Sequence, residues 1–444
     1  MIQQELTEAI ATIAASYQHR DFPDDVELLG RLVVLDNIGC TIRGTRSSLV
    51  QLMAEELFEC SIDALPLLSG QLNGSLNNRA MLHAAAAHAI DFDDTLVPAM
   101  SAHAGSAVVS ASLQLACELR ASGPDLITAV VAGYETAARV GALLHPDHYL
   151  LGFHPTATVG VFGAAAAAGQ LLKLDSTKAR AALGLAATQA CGLKCTFGTM
   201  AKPYNAAHAA SSGLLAARLV ARGFTAPLNA LEIEKGYLSM FFGLTEGERK
   251  VENPGIFRIR DNAFKFHAAC HATHPMIEAL HAVVAEHAFD VHRIARVDVS
   301  TTPLSLRTAS VGEPKSGLEG KFSFPHVAAL VLAGRDTASD ESYSQAAVED
   351  KTLSFLRPLV HANETGTDTF KTSVSISMLD GGHYESSFDF RDLMSNVETV
   401  SRRVGTKFLS NAWHAVGHEK AERLRSGIMN LSDASDVRDL LAVK

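Results

Sequence analysis

Residues 87–105, AHAIDFDDTLVPAMSAHAG, set Asp91, Asp93 and Asp94 almost side by side, with Thr95 directly after them and His103 downstream. Carboxylates this close suit three chemistries: the nucleophile of a phosphatase, a metal site, or a polar pocket that handles an anionic substrate. The spacing DFDDT fits a DxDxT phosphatase motif, which needs a buried strand before it to aim the first carboxylate. Here the preceding residues are HAAAAHAI, and alanine disfavours strands. A second cluster, HAACHATH, offers His267, Cys270, His271 and His274. Read as helix, it puts His267 and His271 one turn apart, yet four such ligands cannot all point at one ion, and no HExxH or paired-cysteine pattern supports them. No metal is expected. In GFHPTATVG, His154 stands before Pro155, where it either caps a helix or helps an exposed helix N-terminus attract an anion. In GTMAKPYNAAHAA, Lys202 is either a snorkelling surface lysine or a buried charge with a partner.

The elements that must position these residues fall into two textures. Up to about residue 260, apolar residues recur at three- and four-residue spacing, as in DDVELLGRLVVLDNIGCTI and DLITAVVAGYETAARVGALL. The clusters Gly123-Pro124-Asp125 and Asp175-Ser176-Thr177 read as helix starts. Abundant Ala and Gly on these helices permit close axis approach, which predicts a compact helical bundle. Beyond VENPGIFRIRDNAF, residues 294–302 and 369–390 alternate and are rich in Val, Ser, Thr and Phe, with a hairpin turn at Asp380-Gly381-Gly382. Helical stretches lie between them, and the tail returns to helix. The expectation is a mainly α protein: a large all-helical domain from residues 1–260 and 393–444, with a smaller α+β lid domain at 261–392 inserted into it.

Composition limits the partners. The 444 residues carry a formal charge of −10, which argues against nucleic acid or an anionic membrane surface. An anionic ligand must therefore be held by a local basic cluster. The N-terminus reads as an amphipathic helix without the basic and apolar regions of a signal peptide, and the Ala/Gly run after His154 reads as a packed helix and not a membrane span. Six scattered cysteines without framework spacing suggest reduced thiols and a cytoplasmic protein.

The phrases AHAIDFDDT, GFHPTATVGVFGAAAAAG, FGTMAKPYNAAHAASSGLLAARLVARGFTAP and KFSFPHVAALVLAG, in this order, resemble the MmgE/PrpD family. That family includes 2-methylcitrate dehydratase, cis-aconitate decarboxylase and iminodisuccinate epimerase. The resemblance implies a homodimer, no metal or organic cofactor, and an active site between helical domain and lid. It implies catalytic roles for Asp91, His103, His154, Lys202 and His271, and substrate binding by Thr95, Lys265, His274 and His326. Three departures from the family pattern stand out: His103-Ala104-Gly105, Asn205 in place of a histidine, and His326 in place of a tyrosine. The implied function is a cofactor-independent lyase on a small di- or tricarboxylate, by decarboxylation or dehydration. The alternative is epimerisation of a dicarboxylate by the same carbanion logic. Neutralising a carboxylate next to the carbanion with fixed cations makes such chemistry possible without a metal, and a histidine near neutrality moves the proton.

Overall fold

The computed structural model describes residues 5–97, 102–144, 147–242, 250–364 and 370–441, and they divide into two compact units. The first unit comprises the chain up to Cys195, Met200–Phe264 and the residues from Ser401 on; the second comprises Thr196–Thr199 and Lys265–Val400.

The first unit is built on eight principal helices: α1 (Leu6–Ser16), α2 (Asp24–Gly44), α3 (Leu76–His88), α4 (Ala104–Leu119), α5 (Gly123–Ala142), α6 (Gly160–Leu171), α7 (Ser176–Ala187) and α8 (Ala201–Ala221). Their starts have local causes. Ser75 accepts a hydrogen bond from the Asn78 amide at the head of α3, Ser122 does so from Asp125 with Pro124 in the first turn of α5, and Asp175 caps α7 through Lys178. Acids fill the first turn of α2 (Asp24, Asp25 and Glu27), where they offset the helix dipole.

Helix α6 packs against α4, α5 and α8, and its sequence GVFGAAAAAGQL explains why it can. A Cβ on Gly133 of α5 would lie 2.9 Å from the Gly163 carbonyl oxygen, and one on Gly163 would lie 2.9 Å from that of Gly133. The two helices cross backbone to backbone at this point, so the small residues set the interaxial distance. The turn before α6 differs from the expected continuous helix: Pro155–Thr158 forms a single turn, and Val159 (φ −109°) separates it from α6. One isolated turn does not supply the anion-attracting N-terminus considered above.

Strand β1 (Thr95–Leu96) pairs antiparallel with β2 (Asn262–Ala263), tying the residues after the aspartates to the end of the first unit. From Ser401 on, the chain runs in the helices Val397–Val416 and His418–Met429, the second of which packs on α2.

The second unit holds a four-stranded sheet ordered β4-β3-β5-β6, with β3 (Ile294–Thr301), β4 (Val360–Glu364), β5 (Lys371–Met378) and β6 (His383–Asp389). The hairpin β5–β6 turns at Gly381 (φ 89°), and Thr372, Val374, Ile376 and Met378 alternate inward along β5. Helix α9 (His274–Glu286) packs on β5 and β6, and α10 (Phe324–Leu332) packs on α9 and β4. Strand β4 runs parallel to β3, with Val297 opposite Val360; its five residues VHANE carry no alternation long enough to announce it. HAACHATH also departs from the helical reading. Residues 266–270 are irregular, His271–Thr273 forms a 3-10 turn, and the α-helix begins only at His274. The Lys321 ammonium donates to the Ala268 carbonyl (2.7 Å) and the Ala268 amide to the Thr337 carbonyl (2.9 Å), which satisfies the irregular backbone.

Candidate active site

The loop that follows α3 separates its three carboxylates. Asp91 takes a left-handed backbone conformation (φ 52°), which aspartate tolerates better than most residues. Each acid then has its own partner. Lys202, in the first turn of α8, donates from Nζ to Asp91 Oδ1 at 2.7 Å. His88, the last residue of α3, donates from Nδ1 to Asp93 Oδ1 and Oδ2 at 2.8 and 3.0 Å. The Tyr134 hydroxyl donates to Asp94 Oδ2 at 2.6 Å, and the Asp94 amide donates to Asp36 Oδ2 at 3.2 Å. Lys407 fastens the loop from the C-terminal segment, donating to the Phe92 carbonyl (2.5 Å) and pairing with Asp36 Oδ1 (2.6 Å). The element before Asp91 is a helix, so the strand that a DxDxT phosphatase needs is not there.

The histidines have defined tautomers in this arrangement. Lys202 Nζ also donates to His88 Nε2 at 2.9 Å, so the neutral His88 ring carries its proton on Nδ1, facing Asp93. His103 donates from Nδ1 to the Asp94 carbonyl at 2.9 Å, and its Nε2 lies 3.7 Å from Asp91 Oδ1. The His103 amide is held by Thr156 Oγ1 at 3.1 Å. Asn205 Nδ2 donates to His154 Nδ1 at 2.9 Å, which leaves the proton of neutral His154 on Nε2. The His88 ring lies 4.5 Å from that of His103 and 6.1 Å from that of His154, centroid to centroid.

Burial sets the charges. Lys202 is 4% exposed and His154 2%, while His88 and Asp93 are wholly buried. Burial holds His154 well below the ordinary histidine value, and the Lys202 charge pushes the same way. His88 is also lowered by burial, against the pull of Asp93. Both rings are therefore neutral near pH 7. Asp94 moves oppositely: burial, reinforced by Asp36, raises its carboxyl to about 8.

One group of donors among the described residues has the closeness that a metal ion needs: atoms of His88, Asp91, Asp93 and His103 lie within 4.8 Å of one another. Two of these four residues already accept hydrogen bonds from Lys202 Nζ. A divalent cation among them would face an ammonium held in the same place, and like charges in a buried site repel strongly. The donor set fits a lysine as its built-in cation better than a metal.

Asp91, His103, His154 and Lys202, four residues singled out in the sequence, thus converge in the first unit. Thr95 follows them on β1, with its Oγ1 buried and lacking a hydrogen-bond partner among the described residues. Sequence reasoning gave Asp93 no partner, and it missed His88, Tyr134, Lys407 and Asn262 of β2. Both side-chain amide atoms of Asn262 are buried and unpaired among the described residues. The signal for His88 was a histidine three residues before Asp91, in an alanine-rich helix that also carries His83.

The second unit holds the remaining candidates. Lys265 is fully buried there. The His271 and His274 rings stack at 5.0 Å and 7°, His267 meets His274 edge-on at 5.0 Å, and Phe390 closes on His271 at 4.9 Å. His326 is occupied within its own unit: Nε2 donates to the Ser342 carbonyl and Nδ1 accepts from Arg357, both at 3.4 Å. Burial lowers it to about 4.

A buried ammonium flanked by carboxylates and by neutral imidazoles of set tautomer, on a helical frame, makes this cluster the candidate site. The chain belongs to the MmgE/PrpD family: residues 8–250 match the MmgE/PrpD N-terminal domain and residues 267–433 the MmgE/PrpD C-terminal domain. It is similar to human cis-aconitate decarboxylase, at 26% identity over 471 residues that span 98% of this chain and 94% of that protein. The mouse cis-aconitate decarboxylase is 26% identical over 98% of this chain and 92% of its own length. A cis-aconitate decarboxylase of Aspergillus terreus is 29% identical over 74% of this chain and 71% of that protein. Among the described residues, no helix is long and apolar enough to cross a membrane.

Proposed function

We propose that the chain decarboxylates or dehydrates a small di- or tricarboxylate of the cis-aconitate type, without a metal or organic cofactor. The protein is a lyase of the MmgE/PrpD type. The observation that carries the finer reading is the Lys202 ammonium, held at 2.7 Å from Asp91 and 2.9 Å from His88 beside His103 and His154. In decarboxylation the bond to the departing carboxyl carbon breaks, carbon dioxide leaves, and the electron pair stays on the adjacent carbon. That pair spreads into the remaining unsaturated carboxylate, whose charge Lys202 neutralises. Stabilising charge as it develops, by a cation fixed beforehand, is where such a site gains most of its rate.

His154, with its proton on Nε2, donates a hydrogen bond to the substrate, and His103, as the imidazolium that keeps Nδ1–H on the Asp94 carbonyl, gives its Nε2 proton to the carbanion and regains one from solvent. Asp91 holds Lys202 in place, and Thr95 Oγ1 bonds a carboxylate. In the second unit, Lys265, His271, His274 and His326 recognise a carboxylate, His326 being held by its bonds to Ser342 and Arg357. The protein is proposed to act as a cytoplasmic homodimer; light scattering at micromolar concentration tests the dimer.

Incubation with cis-aconitate, 2-methylcitrate and citrate, followed by carbon dioxide release and product NMR, tests the activity. Carbon dioxide from cis-aconitate supports decarboxylation, and a new alkene from 2-methylcitrate or citrate supports dehydration. Proton exchange beside a carboxylate with neither product would move the reading to epimerisation.

A further inference from the structure

His88 and Asp93 are wholly buried, so in this structure neither presents a surface to a ligand. They are nonetheless joined to Lys202 in a line of hydrogen bonds: Lys202 Nζ to His88 Nε2 at 2.9 Å, and His88 Nδ1 to Asp93 at 2.8 Å. The line has one consistent assignment of protons. An ammonium has only donors, so His88 Nε2 must accept, the ring proton must sit on Nδ1, and an Asp93 oxygen must accept it. Asp93 therefore decides which nitrogen of His88 faces Lys202. The opposite tautomer would point an N–H at an ammonium.

We infer that His88 and Asp93 are a positioning pair for the proposed reaction: Asp93 locks the His88 tautomer, and His88 aims and holds the Lys202 ammonium. This rests on the function proposed above and adds the two residues through which Lys202 is controlled. A carboxylate that orients an imidazole is a recurrent device where the other ring nitrogen works. Here the working nitrogen serves a lysine. With Asp91 accepting a second N–H of Lys202, hydrogen bonds to two different residues constrain the ammonium in direction as well as position. A misaimed charge stabiliser loses much of its effect.

The groups facing His88 come from every neighbouring segment: Lys202 from α8, Asp91 and Asp93 from the loop after α3, His103 from the residue before α4, and His154 from the turn before α6. Asp93 and Asp91 favour a protonated His88, and burial outweighs them. The acceptor lone pair on Nε2 thus persists through neutral pH. Removing it takes one partner from the Lys202 ammonium, which then gives up its proton more easily.

Two measurements test the pair. In protein labelled with 15N-histidine, with His88 assigned by difference against His88→Gln, the ring should be the Nδ1–H tautomer from pH 6 to 8. Asp93→Asn should mix the tautomers, and Lys202→Met should shift the Nε2 resonance. With cis-aconitate as substrate, His88→Ala should lower kcat roughly ten- to a hundredfold with KM changed less than threefold. It should also move the alkaline limb of the kcat profile to lower pH, and His88→Gln, which keeps an acceptor near Nε2, should recover most of the loss. If His88→Ala does not fold, His88→Gln and Asp93→Asn carry the kinetic test, with the loss in Asp93→Asn expected to exceed that in His88→Gln. An Nε2–H tautomer in the wild type overturns the inference. So does a folded His88→Ala enzyme within threefold of wild type when Lys202→Ala is inactive, an outcome that leaves the proposed function standing. If the wild type converts none of the three acids, the proposed function fails and the 15N spectra alone decide: the Nδ1–H tautomer with a response to Lys202→Met upholds the pair.

Discussion

Each unit buries a group of histidines, and the two groups are held in different ways. In the first, every ring has a directional partner: His88 between Lys202 and Asp93, His103 on the Asp94 carbonyl, His154 on Asn205. In the second, rings pack directly on one another, while His267 Nδ1 bonds Thr337 Oγ1 at 2.7 Å and His274 Nε2 donates to the Ala269 carbonyl at 3.4 Å. His271 and His274 stack nearly parallel, His267 meets His274 edge-on, and Phe390 covers them. His274 Nδ1 is buried with no hydrogen-bond partner among the described residues, and burial with its histidine neighbours pushes His274 well below the ordinary value. A hydrogen bond selects a tautomer and a direction, whereas stacking selects only a plane. The first group is tied by hydrogen bonds to a buried ammonium and carboxylates; the second is joined ring to ring as well.

The largest expected effect breaks the comparison at its centre. Lys202→Ala should lower kcat and kcat/KM together by roughly a hundredfold or more, as loss of one fixed charge stabiliser does. Lys202→Arg should not rescue it, because a planar guanidinium cannot meet both Asp91 and His88 as a compact ammonium does. Steady-state kinetics on protein with unchanged circular dichroism checks this, and near-normal turnover would move the active site elsewhere.

A second contrast replaces rings in kind. His154→Phe keeps the ring and removes both nitrogens; kcat should fall by about a hundredfold, in line with loss of a positioned proton donor. His274→Phe, set among aromatic rings, should keep the melting temperature within a few degrees, with its kinetic effect confined mainly to KM. Equal losses of kcat in the two variants would erase the distinction between the groups.

The frame beneath the first group is tested by Gly133→Ala. The added methyl would lie 2.5 Å from Val108 Cγ1 and 2.9 Å from the Gly163 carbonyl. Overpacking of this kind costs about 1–3 kcal/mol. Thermal unfolding should start several degrees lower in a helical unit that otherwise keeps its fold.

The smallest effect concerns Asp94, whose carboxyl is raised to about 8 by burial and by Asp36. An acid that holds its proton more tightly when folded loses stability as pH rises from its unfolded value near 4 to its folded value near 8. Asp94→Asn imitates the protonated form and has no such loss. The variant should therefore gain melting temperature over wild type at pH 8–9 relative to pH 5. A difference independent of pH would show that Asp94 is ionised throughout.

Much of this protein is local, and what is local is legible in the sequence. The caps at Ser122 and Asp175, the Ala/Gly run of α6 and the turn at Gly381 act on neighbours a few residues away, so helices and hairpin are readable from spacing alone. The same holds for the residue types at the site: Asp91, His103, His154 and Lys202 stand out because charged and imidazole groups are rare inside apolar helical texture. What joins them acts over long separations. Lys202 and His88 are 114 residues apart in the chain, and Lys407 and Phe92 are 315 apart. Local periodicity carries no information at that range, and so the tertiary structure alone decided which aspartate serves which cation. It also decided that HAACHATH is not a helix, since backbone bonds from Lys321 and Thr337 outweigh the intrinsic preference of an alanine-rich stretch. Composition determined that an anionic ligand would need a local basic cluster in a chain of net charge −10; packing determined that Lys202, held by Asp91 and His88, is a buried cation.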